Sequence, residues 1–157
     1  MSDTEITVEP GRQDIVISRV FDAPPDVVFR AVTDPELVPA WWGPKAYTTR
    51  VDRMDAQPGG SWRFVHIDDD GAEYAFRGVF HDVVTPERIV QTFEFEGAPG
   101  HVALETLTLE EVDGKTRYVT QQLHPSVEAR DAMVASGMES GVRDTIDRLA
   151  ELVTSLR

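Results

Sequence analysis

SGMESGVRDTIDRLAELVTSL, residues 136–156, is the stretch on which the fold turns. Its apolar side chains recur at Met138, Val142, Ile146, Leu149, Val153 and Leu156, in steps of four, four, three, four and three residues. That is the period of one helix face, and it predicts a long amphipathic α-helix. Ser136 and Glu139 have the spacing of a capping box at its start. Arg143, Asp144, Asp147, Arg148 and Glu151 fall on the other side. Glu139–Arg143 and Asp144–Arg148 stand in the favourable order for i,i+4 ion pairs. A helix with one apolar face needs a surface to bury it against, and the chain upstream offers short strands.

Residues 14–21 (DIVISRVF) are β-branched and alternate Ile15, Ile17 and Arg19 against Val16, Ser18 and Val20, which predicts a strand. Pro24-Pro25 ends it, and Val27, Val28, Ala31 and Val32 continue with a helical pattern. At 33–36, either Thr33 and Glu36 form a capping box, or Asp34 caps with Pro35 in the first turn. A second short helix is expected to run to about residue 40. Trp41-Trp42-Gly43-Pro44 then gives a bulky anchor and a turn. Strands are expected at 47–54, 61–67, 73–84, 88–95, 102–112 and 116–123, separated by Gly/Pro/Asp turns such as Asp113-Gly114. A short helix over 127–135 leads into the long one. Loops of hairpin length make the sheet antiparallel.

The 157 residues suit one domain able to bury a core. We expect a flexible N-terminus over 1–12 and a single domain over 13–157. A net charge of −13, with 15 basic residues scattered among 28 acidic ones, argues against nucleic acid as a partner. No apolar run reaches the length of a membrane span, so no membrane insertion is expected. The absence of Cys removes disulfides, thiolate metal sites and a cysteine nucleophile, and fits a cytoplasmic protein.

The stretches Phe21-x-Ala23-Pro24, Val28-Phe29-x-Ala31, Thr33-Asp34-Pro35-Glu36, Trp41-Trp42-Gly43-Pro44, Gly59-Gly60-x-Trp62, Asp70-Gly71, Gly78 and Gly137-Met138-x-x-Gly141, with Leu149 near the end, occur in this order. In that order the chain resembles the START-like, or helix-grip, superfamily (SRPBCC) from about residue 14 to 156. Within it, the chain is similar to homologues of the heat-shock-protein-90 ATPase activator C-terminal domain. The resemblance implies an α+β helix-grip fold. Two short helices would follow the first strand, and a curved antiparallel sheet of six to seven strands would wrap around the long C-terminal helix. It also implies a cavity between sheet and helix that takes apolar small molecules.

If the aromatic strand faces point at the helix, Trp62, Phe64, Tyr74, Phe76, Phe80, Phe93 and Phe95 line one concave surface, with His66 and Gln91 in the same phase. Leu104 and Tyr118 are expected to join them. The candidate ligand-binding residues are therefore Trp62, Phe64, His66, Tyr74, Phe76, Gln91, Phe93, Met138 and Val142. Met138 and Val142, with Gly141 and Thr145, are expected beside the cavity; Leu149, Val153 and Leu156 are expected to pack tightly. His66 is the polar group most in need of a partner in this aromatic run. His66, His81, His101 and His124 lie on separate segments without metal-ligand spacing, and no nucleophile motif is present. No metal, no cofactor and no catalytic residue is assigned.

Three functions follow from the resemblance. The favoured one is binding of a small hydrophobic molecule. The second is an enzyme using the same cavity, since START-like relatives include cyclases and hydrolases. The third is a chaperone-interaction module. The chain leaves no room for the additional domain that precedes this one in the eukaryotic-type activator, which lowers that third reading. A homodimer is expected from the family.

Overall fold

The computed structural model describes residues 3–157. Its elements in order are β1 (Glu5–Thr7), β2 (Asp14–Phe21), α1 (Pro25–Thr33), a 3₁₀ turn (Val38–Ala40), β3 (Thr48–Met54), β4 (Ser61–Ile67), β5 (Glu73–Val84), β6 (Arg88–Phe95), β7 (Ala103–Val112), β8 (Lys115–Leu123), α2 (Val127–Ala135) and α3 (Met138–Leu156). The eight strands form one antiparallel sheet in the order β1-β2-β8-β7-β6-β5-β4-β3. From β3 to β8 each strand pairs with its sequence neighbour, and β2 closes onto β8. Register breaks between Val51 and Arg53 in β3, and between Phe80 and Asp82 in β5, bend the sheet. The fold is the expected α+β helix grip, with more strands than the sequence suggested.

The C-terminal half of α3 fills the grip. Leu149 and Val153 are fully buried, and Ile146 nearly so, against Phe21, Val28, Ala31 and Leu109. Each such aliphatic side chain contributes roughly 1.5–3 kcal/mol relative to an exposed one. Outward positions on β3 to β6 carry ion pairs instead, among them Arg63–Glu96 at 2.8 Å and Arg77–Glu94 at 3.1 Å. Exposed pairs of this kind contribute little each, so the inner face carries the energetics.

Local expectations differ from the structure at four places. Ser136 does not open α3: its hydroxyl donates to the carbonyl of Met133 (2.5 Å), and its N–H donates to that of Ala132 (3.1 Å). It closes α2. Gly137, at φ +84°, makes the left-handed reversal that starts α3, so the capping box has no register to form in. Glu139 pairs with Arg143 at 3.0 Å as expected. Asp144 and Arg148 do not pair. Asp144 accepts from the Lys45 N–H (2.5 Å), while Arg148 donates to the carbonyls of Gly43 (2.6 Å) and Ala40 (3.1 Å). Both side chains fasten the segment after Ala40 to α3.

The second short helix is only the single 3₁₀ turn. Thr33 donates back to the Phe29 carbonyl (2.7 Å) and so belongs to the end of α1, while Asp34 accepts from the Glu36 N–H (2.9 Å). Of the N-terminal segment, residues 1 and 2 lie outside the described residues, and Glu5–Thr7 form an edge strand on β2. Arg130 on α2 helps hold that segment. Its guanidinium is almost fully buried and donates to the carbonyls of Asp14 (3.0 Å) and Glu9 (2.9 Å).

Candidate ligand cavity

The inner face of the sheet and the N-terminal half of α3 border an open cavity of about 610 Å³. β4 contributes Trp62, Phe64 and His66; β5 contributes Tyr74 and Phe76; β6 contributes Gln91 and Phe93; and α3 contributes Met138 and Val142. The structure thus places all nine candidate residues on one wall system. Alternation brings them there, because every second side chain of a strand faces the same way. Gly141, Thr145 and Ile146 continue the α3 wall until Leu149, where tight packing takes over.

The aromatic side chains interlock. Phe76 packs on Phe93 and Phe95 at ring separations of 5.6 and 5.1 Å, and Trp62 packs on Phe64 at 4.7 Å. Trp42 presents its ring nearly perpendicular to Phe64 (5.0 Å) and Phe76 (5.2 Å). The neighbouring Trp41 is buried, with its indole N–H donating to the Ala31 carbonyl (2.9 Å) at the end of α1. One tryptophan anchors the segment and the other faces the cavity.

His66 sits in a box made by Trp42 (4.8 Å), Tyr47 (5.2 Å) and Phe76 (4.8 Å). Its Nε2 has no hydrogen-bond partner and abuts Gly43, where a Cβ would lie only 2.3 Å away. Burial pushes its pKa down to about 4, with the charge of Arg148 adding to the effect. It is therefore a neutral ring supporting the Trp42–Gly43 backbone, with Nε2 closed off. The other buried side-chain atom without a partner among the described residues is Trp62 Nε1, which lies over Gly78.

The polar centre of the cavity is elsewhere. Gln91, Glu105 and Gln122 lie in register across β6, β7 and β8. Gln91 Nε2 donates to one oxygen of Glu105 (3.1 Å) and Gln122 Nε2 to the other (2.8 Å). Gln122 Oε1 lies 2.8 Å from Nε2 of the buried His124. All three of Gln91, Glu105 and Gln122 line the cavity. Burial raises the Glu105 carboxyl above its usual range, and the two amide donors only partly offset that. Burial, and then the nearby Glu105, also raise the Tyr118 hydroxyl.

Glu105 escaped the sequence reading because β7 carries leucine on both faces, whereas Gln122 on β8 shares the inward phase of Tyr118 and was within reach of it. Leu104, expected inside, is 40% exposed on the outer face, opposite Leu123. The inward phase is Ala103, Glu105, Leu107 and Leu109. Two clearly spaced leucines, Leu107 and Leu109, carried the signal that would have found it. Tyr118 does face the cavity.

Two hydroxyls at the wall are spent locally: Thr145 donates to the Gly141 carbonyl (2.9 Å) and Ser136 to that of Met133. Tyr47, Tyr74, Tyr118 and Thr120 bring further hydroxyl-bearing side chains to the lining. No Lys or Arg side chain is among the lining residues. Among the described residues no group of three or more His, Cys, Asp or Glu could hold a metal ion, and no helix is long and apolar enough to cross a membrane.

A sheet gripping one long helix, with a space held open between them, defines a helix-grip (SRPBCC) domain. Residues 22–154 match the family described as "Activator of Hsp90 ATPase homolog 1-like protein", and the chain belongs to that family. Among solved structures, a protein from Rhodobacter sphaeroides is 26% identical, with 96% of this chain and 99% of that one covered and a TM-score of 0.88. Protein CV1439 from Chromobacterium violaceum is 28% identical over 90% of this chain and 96% of that one, with a TM-score of 0.81. A protein from Arthrobacter aurescens shares the fold at 23% identity, covering 96% and 91% of the two chains, with a TM-score of 0.89. No curated protein sequence matches the chain.

Proposed function

We propose that the chain binds a small, largely apolar molecule in the cavity between sheet and α3. The observation that carries this reading is the cavity of about 610 Å³ walled by Trp42, Phe64, Phe76, Phe93, Met138 and Val142. Its volume lies within the range of small-molecule sites, and an apolar wall with few polar groups is their usual make-up. An empty apolar space this large would be costly to keep, because its lining forgoes packing contacts.

The test is calorimetric titration with 1-naphthylmethanol, a neutral aromatic probe, into the wild-type chain and Val142→Phe. Filling the space at Val142 should weaken binding at least about tenfold while leaving the fold intact. Equal binding by both proteins would place the probe elsewhere and refute the reading.

An enzyme using the same space finds support in the convergence of Gln91 and Gln122 on Glu105 within hydrogen-bond reach. Both amides are committed to that carboxyl, however, and burial, then Glu105, raise the nearby Tyr118 hydroxyl away from ready ionisation, so binding remains the favoured reading. A chaperone-binding module rests on family membership, with the outward Leu104–Leu123 pair as a surface that a partner protein or second copy would cover.

A further inference from the structure

We propose that Glu105 is the recognition point for a positively charged nitrogen, so that the cavity takes an organic cation: an apolar, preferably aromatic body carrying an ammonium head. The inference rests on the ligand-cavity reading above and specifies what occupies it.

Several polar groups at the wall are already committed. Hydroxyls of Thr145 and Ser136 donate to carbonyls of their own segments. The Gln91 and Gln122 amides donate to Glu105. His66 Nε2 is closed against Gly43. Trp62 Nε1 lies over Gly78, and Tyr118 and Thr120 add neutral hydroxyls, but Glu105 is the one acid among the lining residues. An ionised carboxylate offers about four acceptor positions, and its two oxygens each receive one amide N–H. Acceptor capacity is therefore left over, on a side chain whose strand phase points it into the cavity. A ligand completes this site by donating.

Charge at the wall is unbalanced. No cationic side chain lines the cavity. Arg148, the cation that influences His66, is held by the Gly43 and Ala40 carbonyls. A carboxylate set in an apolar wall without a counter-charge is disfavoured: it either takes up a proton or pairs with a cation. Burial raises the Glu105 carboxyl, and no cationic side chain at the wall offsets that. A bound ammonium would supply it.

The wall itself suits a cation. Trp42, Trp62, Phe64, Phe76 and Phe93 present aromatic surface to the same space. Aromatic faces attract cations, and more strongly where water is excluded. The same features reject a carboxylate ligand, which would meet Glu105 and a chain of net charge −13 with no cation to hold it.

Three probes of one shape separate the possibilities: 1-naphthylmethylamine, protonated at neutral pH; 1-naphthylmethanol, a neutral donor; and 1-naphthylacetate, an anion. Calorimetric titration of the wild-type chain should show the amine binding at least about tenfold tighter than the alcohol, and the acetate weakest. Glu105→Gln should bring the amine to within about threefold of the alcohol and leave the alcohol itself nearly unchanged. The amine preference should also grow as pH rises and Glu105 ionises, a readout in the wild-type protein that does not depend on how the variant folds. If the alcohol binds and the amine binds no tighter, the cation inference is overturned and the cavity reading survives. Retention of the full amine preference by folded Glu105→Gln overturns it too. Failure of all three probes to bind would overturn the cavity reading, and this inference with it.

Discussion

Replacing His66 with Gln should change how stability depends on acidity. In the folded chain the imidazole is enclosed by Trp42, Tyr47 and Phe76, and its pKa is pushed down to about 4 from 6.5. Between those two values the unfolded chain takes up a proton that the folded chain refuses. Stability from this group is therefore full above pH 6.5 and is lost as pH falls toward the folded pKa of about 4. At about 1.4 kcal/mol per pH unit the full displacement corresponds to roughly 3 kcal/mol, which residual solvent contact reduces to about 2. His124 is shifted in the same direction by burial, and Asp14, held well below the usual carboxylate range by Arg12 and Gln121, acts only in stronger acid. The difference between wild type and His66→Gln removes those shared contributions. Urea unfolding followed by tryptophan fluorescence at about pH 7 and about pH 4.5 measures it. The wild type should lose about 2 kcal/mol more than the variant across that interval. Parallel losses would show that His66 is already solvated or protonated in the folded state, and the boxed, neutral imidazole would have to be abandoned.

Two further substitutions probe the frame around the cavity. Gly78→Ala would set a Cβ 1.9 Å from the Thr92 carbonyl oxygen and 2.4 Å from Trp62 Nε1. It should cost about 2–3 kcal/mol in urea unfolding and alter the near-ultraviolet circular dichroism of Trp62; a change below about 0.5 kcal/mol would contradict the close approach of indole to backbone. Arg130→Met removes the donors to the Asp14 and Glu9 carbonyls. We expect a loss of about 2–4 kcal/mol together with faster amide hydrogen exchange in β1, and unchanged exchange there would show that α2 does not hold that edge.

How far the sequence could be read depended on whether a pattern was local. β4 and β5 place their large aromatics at every second position between Gly- and Asp-rich turns, so their bounds and inward faces were legible at once. So was the division of α3 into a cavity wall and a packed half. β1 was not, because three residues cannot display a period and only their pairing with β2 makes them a strand. The Ser136–Glu139 spacing was a true local pattern in the wrong register, since α2 runs up to Ser136 and claims it. Asp144 and Arg148 had a helical ion pair available, yet backbone groups of the 40–45 segment, the Gly43 carbonyl at a buried residue among them, take both side chains instead, and an exposed i,i+4 pair contributes too little to compete. The most consequential miss was Glu105. Leu104 points one way and the pair Leu107 and Leu109 the other, so reading β7 from Leu104 takes the outward phase and hides the one carboxyl among the lining residues.

The central claim is that the space beside Met138 and Val142 receives a ligand. It is tested most directly by titrating isotope-labelled protein with 1-naphthylmethanol and following the indole N–H of Trp62 and the methyl groups of Met138 and Val142 by nuclear magnetic resonance. Saturable shifts at those groups and along the inward positions of β4 to β6, with the outward positions still, are the predicted result. Shifts confined to the outer face around Leu104 and Leu123, or none at saturating probe, would contradict it.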